Sequence, residues 1–226
     1  MSILPEAEQL KPFSLTYVVY NKNDKYIGFI MSLFTLLPVF LVVMYVTLVI
    51  SRRNLHTVYV FFFQLVNEVL NFLLKNYFKQ QRPDSSTKTD DYGFPSNHSQ
   101  FVTFFAVYWS FYFIFRNNAQ FTNKLYTIVM VSAISIGCGI TCYSRVYLGY
   151  HTPIQIYGGI FFGFFFGAIT FVFYDTCCKS FLHWIESTII GKYFYLRNTE
   201  HIVNLLKYEY EIEQEKFCYG KIKGAE

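Results

Sequence analysis

The sequence reads as an all-α, polytopic transmembrane bundle of about five spans, and three observations carry that reading. Of 226 residues, 53% are hydrophobic, 22% aromatic and only 15% charged, which excludes a disordered chain and argues against an ordinary soluble domain. Three runs, Tyr26 to Ser51, Leu125 to Ser144 and Thr152 to Tyr174, contain no Asp, Glu, Lys or Arg. Each is long enough to cross a bilayer as a helix. The formal net charge of +4 is spread over the connections, with no basic block that would follow a nucleic-acid backbone, so no nucleic-acid partner is expected.

Taken in order, residues 1–25 include Pro5, Glu6, Glu8 and Pro12 and lack an apolar core followed by a small-residue cleavage site. The first span, from Tyr26, is therefore expected to direct insertion. A second span covers His56 to Leu74, interrupted by Asn67, Glu68 and Asn71, and a third covers Gln100 to Phe115. Between them, residues 84–91 form a polar loop. The fourth and fifth spans are the remaining charge-free runs. Beyond Cys177, Phe181, Leu182, Trp184, Ile185, Ile189 and Ile190 recur near helical spacing among charged residues, which predicts an in-plane interfacial helix, followed by a solvated helical tail. The expected organisation is a polar N-terminal segment over 1–25, a membrane-embedded domain over 26–176, and an interfacial helix with a cytosolic tail over 177–226. The five cysteines do not form a paired framework and read as free thiols. Arg52, Arg53, Arg116 and Lys124 share one face, which the positive-inside tendency makes cytosolic.

Chemistry concentrates on the opposite face. Gln64, Glu68, Asn71 and Lys75 fall three or four residues apart and share one side of the second span. Ionisable groups at membrane depth are costly, which makes Glu68 and Lys75 candidates for function, with interhelical bonding as the plain alternative for Asn67, Glu68 and Asn71. Arg82 comes two helical turns after Lys75, and Pro83 disfavours further helix. Pro95-Ser96-Asn97-His98 opens the third span, with Pro95 suited to a first turn, Ser96 able to cap or bind, and free amides that attract an anion. Ser144-Arg145 ends the fourth span, His151 follows, and Thr152-Pro153 supplies a cap and first turn for the fifth. Counting spans puts these ends on one side, so three cations and two histidines can meet. Gly159, Gly163 and Gly167 would let the fifth span pack closely on a neighbour.

Lys75-x6-Arg82-Pro83, Pro95-Ser96-Asn97-His98 and Ser144-Arg145-x5-His151 resemble the three-part signature of the type 2 phosphatidic acid phosphatase superfamily. The flanking Asn67-Glu68, Ser99-Gln100-Phe101, Val146-Tyr147-Leu148 and Gln155 are similar to its dolichyl-diphosphatase branch. Two positions depart from many superfamily members, which have Gly in place of Asn97 and Asp in place of Gln155. The resemblance implies that His151 is the nucleophile and forms a phosphohistidine, while His98 protonates the departing oxygen and then activates water. Lys75, Arg82, Arg145, Ser96 and Asn97 would bind the phosphoryl group, with Gln155 or Glu68 orienting. Because the two histidines need opposite protonation states, a bell-shaped pH profile is expected. Phosphoryl transfer mainly requires donors around three charged oxygens, and these residues supply them without a cofactor. No acidic cluster with ligand spacing stands on this face, since Asp84, Asp90 and Asp91 fall in the polar loop; metal independence is expected. The implied substrate is a polyprenyl (dolichyl) diphosphate in the endoplasmic reticulum bilayer, cleaved on the lumenal side to dolichyl phosphate for N-glycosylation. Alternatives are phosphatidate or a sphingoid-base phosphate as substrate, or an inactive scaffold or transporter. Protein partners are not indicated.

Overall fold

The computed structural model describes residues 10–13, 18–21, 24, 26–83, 92–116, 124–199, 202 and 205–223. The acidic loop at 84–91 and most of segment 1–25 lie outside the described residues. Two short antiparallel strands, β1 (Leu10–Phe13) and β2 (Val18–Asn21), precede the helices. The helices are α1 (Ile27–Thr35), α2 (Leu37–Arg52), α3 (Leu55–Phe78), α4 (Asn97–Phe111), α5 (Lys124–Tyr147), α6 (Pro153–Phe173), α7 (Lys179–Ser187), α8 (Ile189–Tyr193) and α9 (Leu205–Lys223). The all-α membrane bundle expected from composition is what the chain adopts.

Among the described residues, four stretches are long and apolar enough to cross a membrane: Ile27–Arg52, Leu55–Phe78, Lys124–Tyr147 and Pro153–Ser187. The first is two helices, because Pro38 has no N–H to bond back to Phe34 and the rod breaks at Leu36. The remaining expected span, the third, is α4, extended by a π-helical turn over Tyr112–Arg116. Its start, Asn97-His98-Ser99-Gln100, is polar, and its central place explains why it needs no lipid-like surface. Ser99, Gln100, Phe101, Val102, Thr103 and Phe104 are all buried between α3, α5 and α6. α6 does not stop near residue 176 but runs through a second π turn, Tyr174–Cys178, straight into α7.

Burial is inverted relative to a soluble domain. Val43, Val69, Phe72, Leu73, Ile128 and Ile169 face outward, whereas Gln64 and Asn67 are fully enclosed. The α3 ladder is spent on α4. Gln64 Nε2 donates to the Phe101 carbonyl at 3.2 Å, Gln100 Nε2 donates to Asn67 Oδ1 at 2.9 Å, and Asn71 Nδ2 donates to Gln100 Oε1 at 2.7 Å. For Asn67 and Asn71 interhelical bonding is therefore the outcome. Cys138, Cys142, Cys177 and Cys178 are free thiols, and the side chain of Cys218 lies outside the described residues. The exposed α9 tail is tied back by Arg52, whose Nη1 pairs with Glu209 at 2.8 Å.

The glycine stripe of α6 meets the backbone of α4. A Cβ at Gly159 would stand 2.6 Å from the Ser96 carbonyl oxygen, and one at Gly163 would stand 2.5 Å from that of Gln100. Main chain cannot rotate aside as a side chain can. Gly163→Ala is expected to cost about 1–3 kcal/mol by forcing the helices apart, read as a lower unfolding midpoint in detergent; an unchanged midpoint would show that this contact is slack.

Candidate active site

The site is built where α3 and α5 end and α4 and α6 begin. α3 supplies Lys75, which is buried in the last turn. The helix stops at Phe78 because Lys79 adopts a left-handed φ of 50° while its N–H bonds the Lys75 carbonyl. Arg82 therefore leaves on an irregular segment rather than two turns farther along the same helix. Pro83 disfavours helical backbone at Arg82, and the chain has turned by then.

α4 begins at Asn97, so Pro95 precedes the cap instead of filling the first turn. Ser96 occupies the cap position by backbone, yet its hydroxyl caps nothing. It accepts from Ser99 Oγ at 3.3 Å, which leaves its own O–H to donate elsewhere. The Ser96 N–H donates to the Gln155 carbonyl at 3.0 Å and ties the start of α4 to α6.

Between α5 and α6 the chain closes on itself. Gly149 takes a φ of 75°, and the Arg145 carbonyl accepts the N–H of Tyr150 at 3.0 Å and of His151 at 3.2 Å. The spacing from Arg145 to His151 is thus one turn that holds the two side by side. The guanidinium lies 4.0 Å over the Tyr150 ring, a cation–π contact. Arg145 is only 5% exposed, its Nε has no hydrogen-bond partner, and among the described residues no carboxylate forms an ion pair with it. A buried cation without an internal anion is costly, and an incoming anion relieves that cost.

The predicted groups converge. Arg145, His151, Arg82 and Lys75 all lie close enough to act on His98 electrostatically, and Arg145, Arg82 and Lys75 act in the same way on His151. Burial first, then Arg145, Arg82 and Lys75, pushes the His151 imidazole down to about 3, against an opposing hydrogen bond from Gln155. The resting ring is neutral near neutral pH. Its Nδ1 stands 3.0 Å from Gln155 Oε1. The amide cannot be the other way round, because Gln155 Nε2 donates to the Gln81 carbonyl at 2.9 Å and the Thr152 N–H donates to Oε1 at 3.3 Å. Oε1 must therefore accept from Nδ1–H, which leaves the Nε2 lone pair free. Thr152 caps α6 with Pro153 in its first turn, as the sequence predicts, and Gln155 completes a capping box.

Of the two orienting candidates, only Gln155 reaches His151. Glu68 lies instead beside the Asn97 side chain and near Lys75. Three contributors escaped sequence reasoning. Tyr150 stacks on Arg145; Gln81 contributes only a carbonyl, which no residue type announces; Gly93 leaves room for Gln155, since a Cβ there would stand 2.5 Å from Gln155 Nε2. Among the described residues no three His, Cys, Asp or Glu side chains gather as a metal site. Asp84, Asp90 and Asp91 lie outside the described residues.

Comparison with known proteins matches residues 55–178 to the PAP2 superfamily. The chain is 37% identical over 211 residues to Dolichyldiphosphatase 1 of Callithrix jacchus, covering 89% of this chain and 87% of that protein. It is 33% identical over 223 residues to Lipid phosphate phosphatase gamma of Arabidopsis thaliana, covering 93% of each. Over 211 residues it is 32% identical to Dolichyldiphosphatase of Saccharomyces cerevisiae, covering 88% of this chain and 86% of that one. No solved structure matches the chain significantly.

Proposed function

Because this chain belongs to the PAP2 superfamily, we propose that it hydrolyses dolichyl diphosphate to dolichyl phosphate and phosphate at the lumenal face of the endoplasmic reticulum membrane. The observation that carries the reading is Arg145, buried and, among the described residues, in no ion pair, beside a neutral His151 whose Nε2 lone pair is free. The His151 Nε2 lone pair attacks the terminal phosphorus, and the bridging P–O bond breaks with its electron pair leaving on the dolichyl phosphate oxygen. His98 gives that oxygen a proton. His98 then takes a proton from water, the resulting hydroxide attacks phosphorus, and the N–P bond breaks to restore His151. Lys75, Arg82, Arg145 and the Ser96 hydroxyl face the phosphoryl oxygens, and the amides opening α4 add donors. Glu68 positions Asn97 at that helix start. The dolichyl phosphate would return to lipid-linked oligosaccharide assembly for N-glycosylation. Residues beyond α6 would form the interfacial and cytosolic part.

The similarity to Lipid phosphate phosphatase gamma favours a second reading, in which another lipid phosphate is the substrate. Purified protein offered dolichyl diphosphate, phosphatidate and a sphingoid-base phosphate in competition, with chelator and no magnesium, separates them. Dolichyl diphosphate is expected to win by at least about tenfold in kcat/KM. Phosphatidate turned over equally well would refute the substrate assignment, and no turnover of any lipid by folded protein would leave the scaffold or transporter reading.

The neutral state of His151 narrows the expected bell-shaped pH profile. With its value near 3, the ring is protonated and unable to attack only well below neutrality. An acid limb of kcat/KM between about pH 5 and 7 then belongs to the substrate phosphate or another group. Gln155→Leu is expected to lower kcat about tenfold and to mix the two His151 tautomers in nitrogen NMR, with Gln155→Glu restoring the Nδ1–H form. A leucine variant that keeps both the tautomer and the turnover would reduce Gln155 to a helix cap.

A further inference from the structure

At the other end of the bundle, about 30 Å along α3 from Lys75, a second cavity of about 650 Å³ opens beside Ser51 and Arg53. Arg53, Lys192 and Arg197 line it against a single carboxylate, Glu186. That carboxylate is already engaged: Oε1 accepts the Asn198 N–H at 3.1 Å, and Oε2 lies 3.4 Å from His183 Nδ1. Arg52 next door is taken up by Glu209, whereas among the described residues none of the three lining cations is in an ion pair.

The walls are fixed main chain. The Leu55 N–H donates to the Arg197 carbonyl and the Arg197 N–H to the Arg53 carbonyl, each at 2.9 Å, so the segment after α8 is pinned to the α2–α3 corner. Arg53 and Tyr195 adopt φ of 52° and 54°, two of the three positive values among described non-glycine residues. Arg53 ends α2 in this conformation, with its N–H on the Val49 carbonyl. Its guanidinium lies 6.0 Å from the centroid of the Tyr195 ring. Apolar side chains within two residues of the lining positions in sequence are exposed: Ile50, Ile189, Ile190 and Phe194 are all more than half exposed. A cationic cavity edged by exposed aliphatic and aromatic groups at the end of membrane helices has the character of a bilayer headgroup region.

We propose that this cavity binds the phosphorylated headgroup of an anionic phospholipid from the leaflet on that face, with Arg53, Lys192 and Arg197 around the phosphate and the acyl chains beside Ile50 and Ile190. The inference is independent of which lipid phosphate the active site cleaves. The test titrates the purified full chain with phosphatidylinositol 4-phosphate, phosphatidylcholine or inorganic phosphate and reads bound adducts by native mass spectrometry. The phosphoinositide is expected to be retained, phosphatidylcholine not, and an excess of inorganic phosphate is expected to displace it poorly. Lys192→Gln/Arg197→Gln should weaken retention by about tenfold or more, while Arg145→Ala leaves it unchanged. Lys192→Gln alone, at an exposed side chain whose loss leaves the walls intact, should weaken it several-fold and serves if the double variant does not fold. Equal retention by wild type and Lys192→Gln, ready displacement by inorganic phosphate, or loss of the lipid only in Arg145→Ala would each overturn the proposal.

Discussion

Replacing His151 by alanine is expected to leave a folded membrane protein whose turnover of dolichyl diphosphate falls by about 10⁴-fold or more. The size follows from the role: no other described group near the phosphoryl site is a neutral ring with a free nitrogen lone pair held by a fixed amide. Folding survives because the lost contact is one hydrogen bond, and Gln155 Oε1 keeps the Thr152 N–H as a donor. The measurement is turnover beside an unfolding midpoint in the same detergent. A folded alanine variant with turnover within about tenfold of wild type would remove His151 from the chemistry.

The second large effect is at Arg145. Arg145→Ala is expected to lose about 3 kcal/mol of transition-state stabilisation, roughly a hundredfold in kcat/KM, as when a preorganised donor is deleted. Stability should move the other way. The wild-type guanidinium is buried with an unpartnered Nε and, among the described residues, in no ion pair, so removing it relieves a desolvation cost. A lower rate with an equal or higher unfolding midpoint is the combined signature. Arg145→Lys keeps the charge but loses the planar fork, and should fall between. Near-normal turnover in a folded alanine variant would exclude Arg145 from the phosphate clamp.

What the sequence made legible was whatever short covalent distance enforces. Arg145 and His151 are separated by one turn that a left-handed Gly149 closes, and Thr152-Pro153 can hardly do other than start a helix. The α6 glycines announced a close approach, and the α4 main chain is what they approach. Legibility failed where a backbone choice intervened. Arg82 keeps its place in the cluster by a different route, because Lys79 ends α3 in a left-handed conformation that a lysine does not advertise. Ser96 looked like a cap and has the cap's backbone, but its hydroxyl is bonded by Ser99 instead. Gln100 marked the family branch but gave no signal of its packing role. Its importance comes from the α3–α4 pairing, where it answers both Asn67 and Asn71, and pairing between helices is not written in either helix alone. The α4 span itself was found by its aromatic content although its first turn is polar.

The central claim is that a phosphoryl group passes through His151, and rapid acid-free quenching of the protein with dolichyl diphosphate labelled in its terminal phosphate tests it most directly. The expected result is an acid-labile, alkali-stable label on the peptide containing His151, present in wild type, increased when His98→Ala slows release, and missing from His151→Ala. Label on another residue, or full turnover by wild type with no trapped label under any quench, would contradict the account.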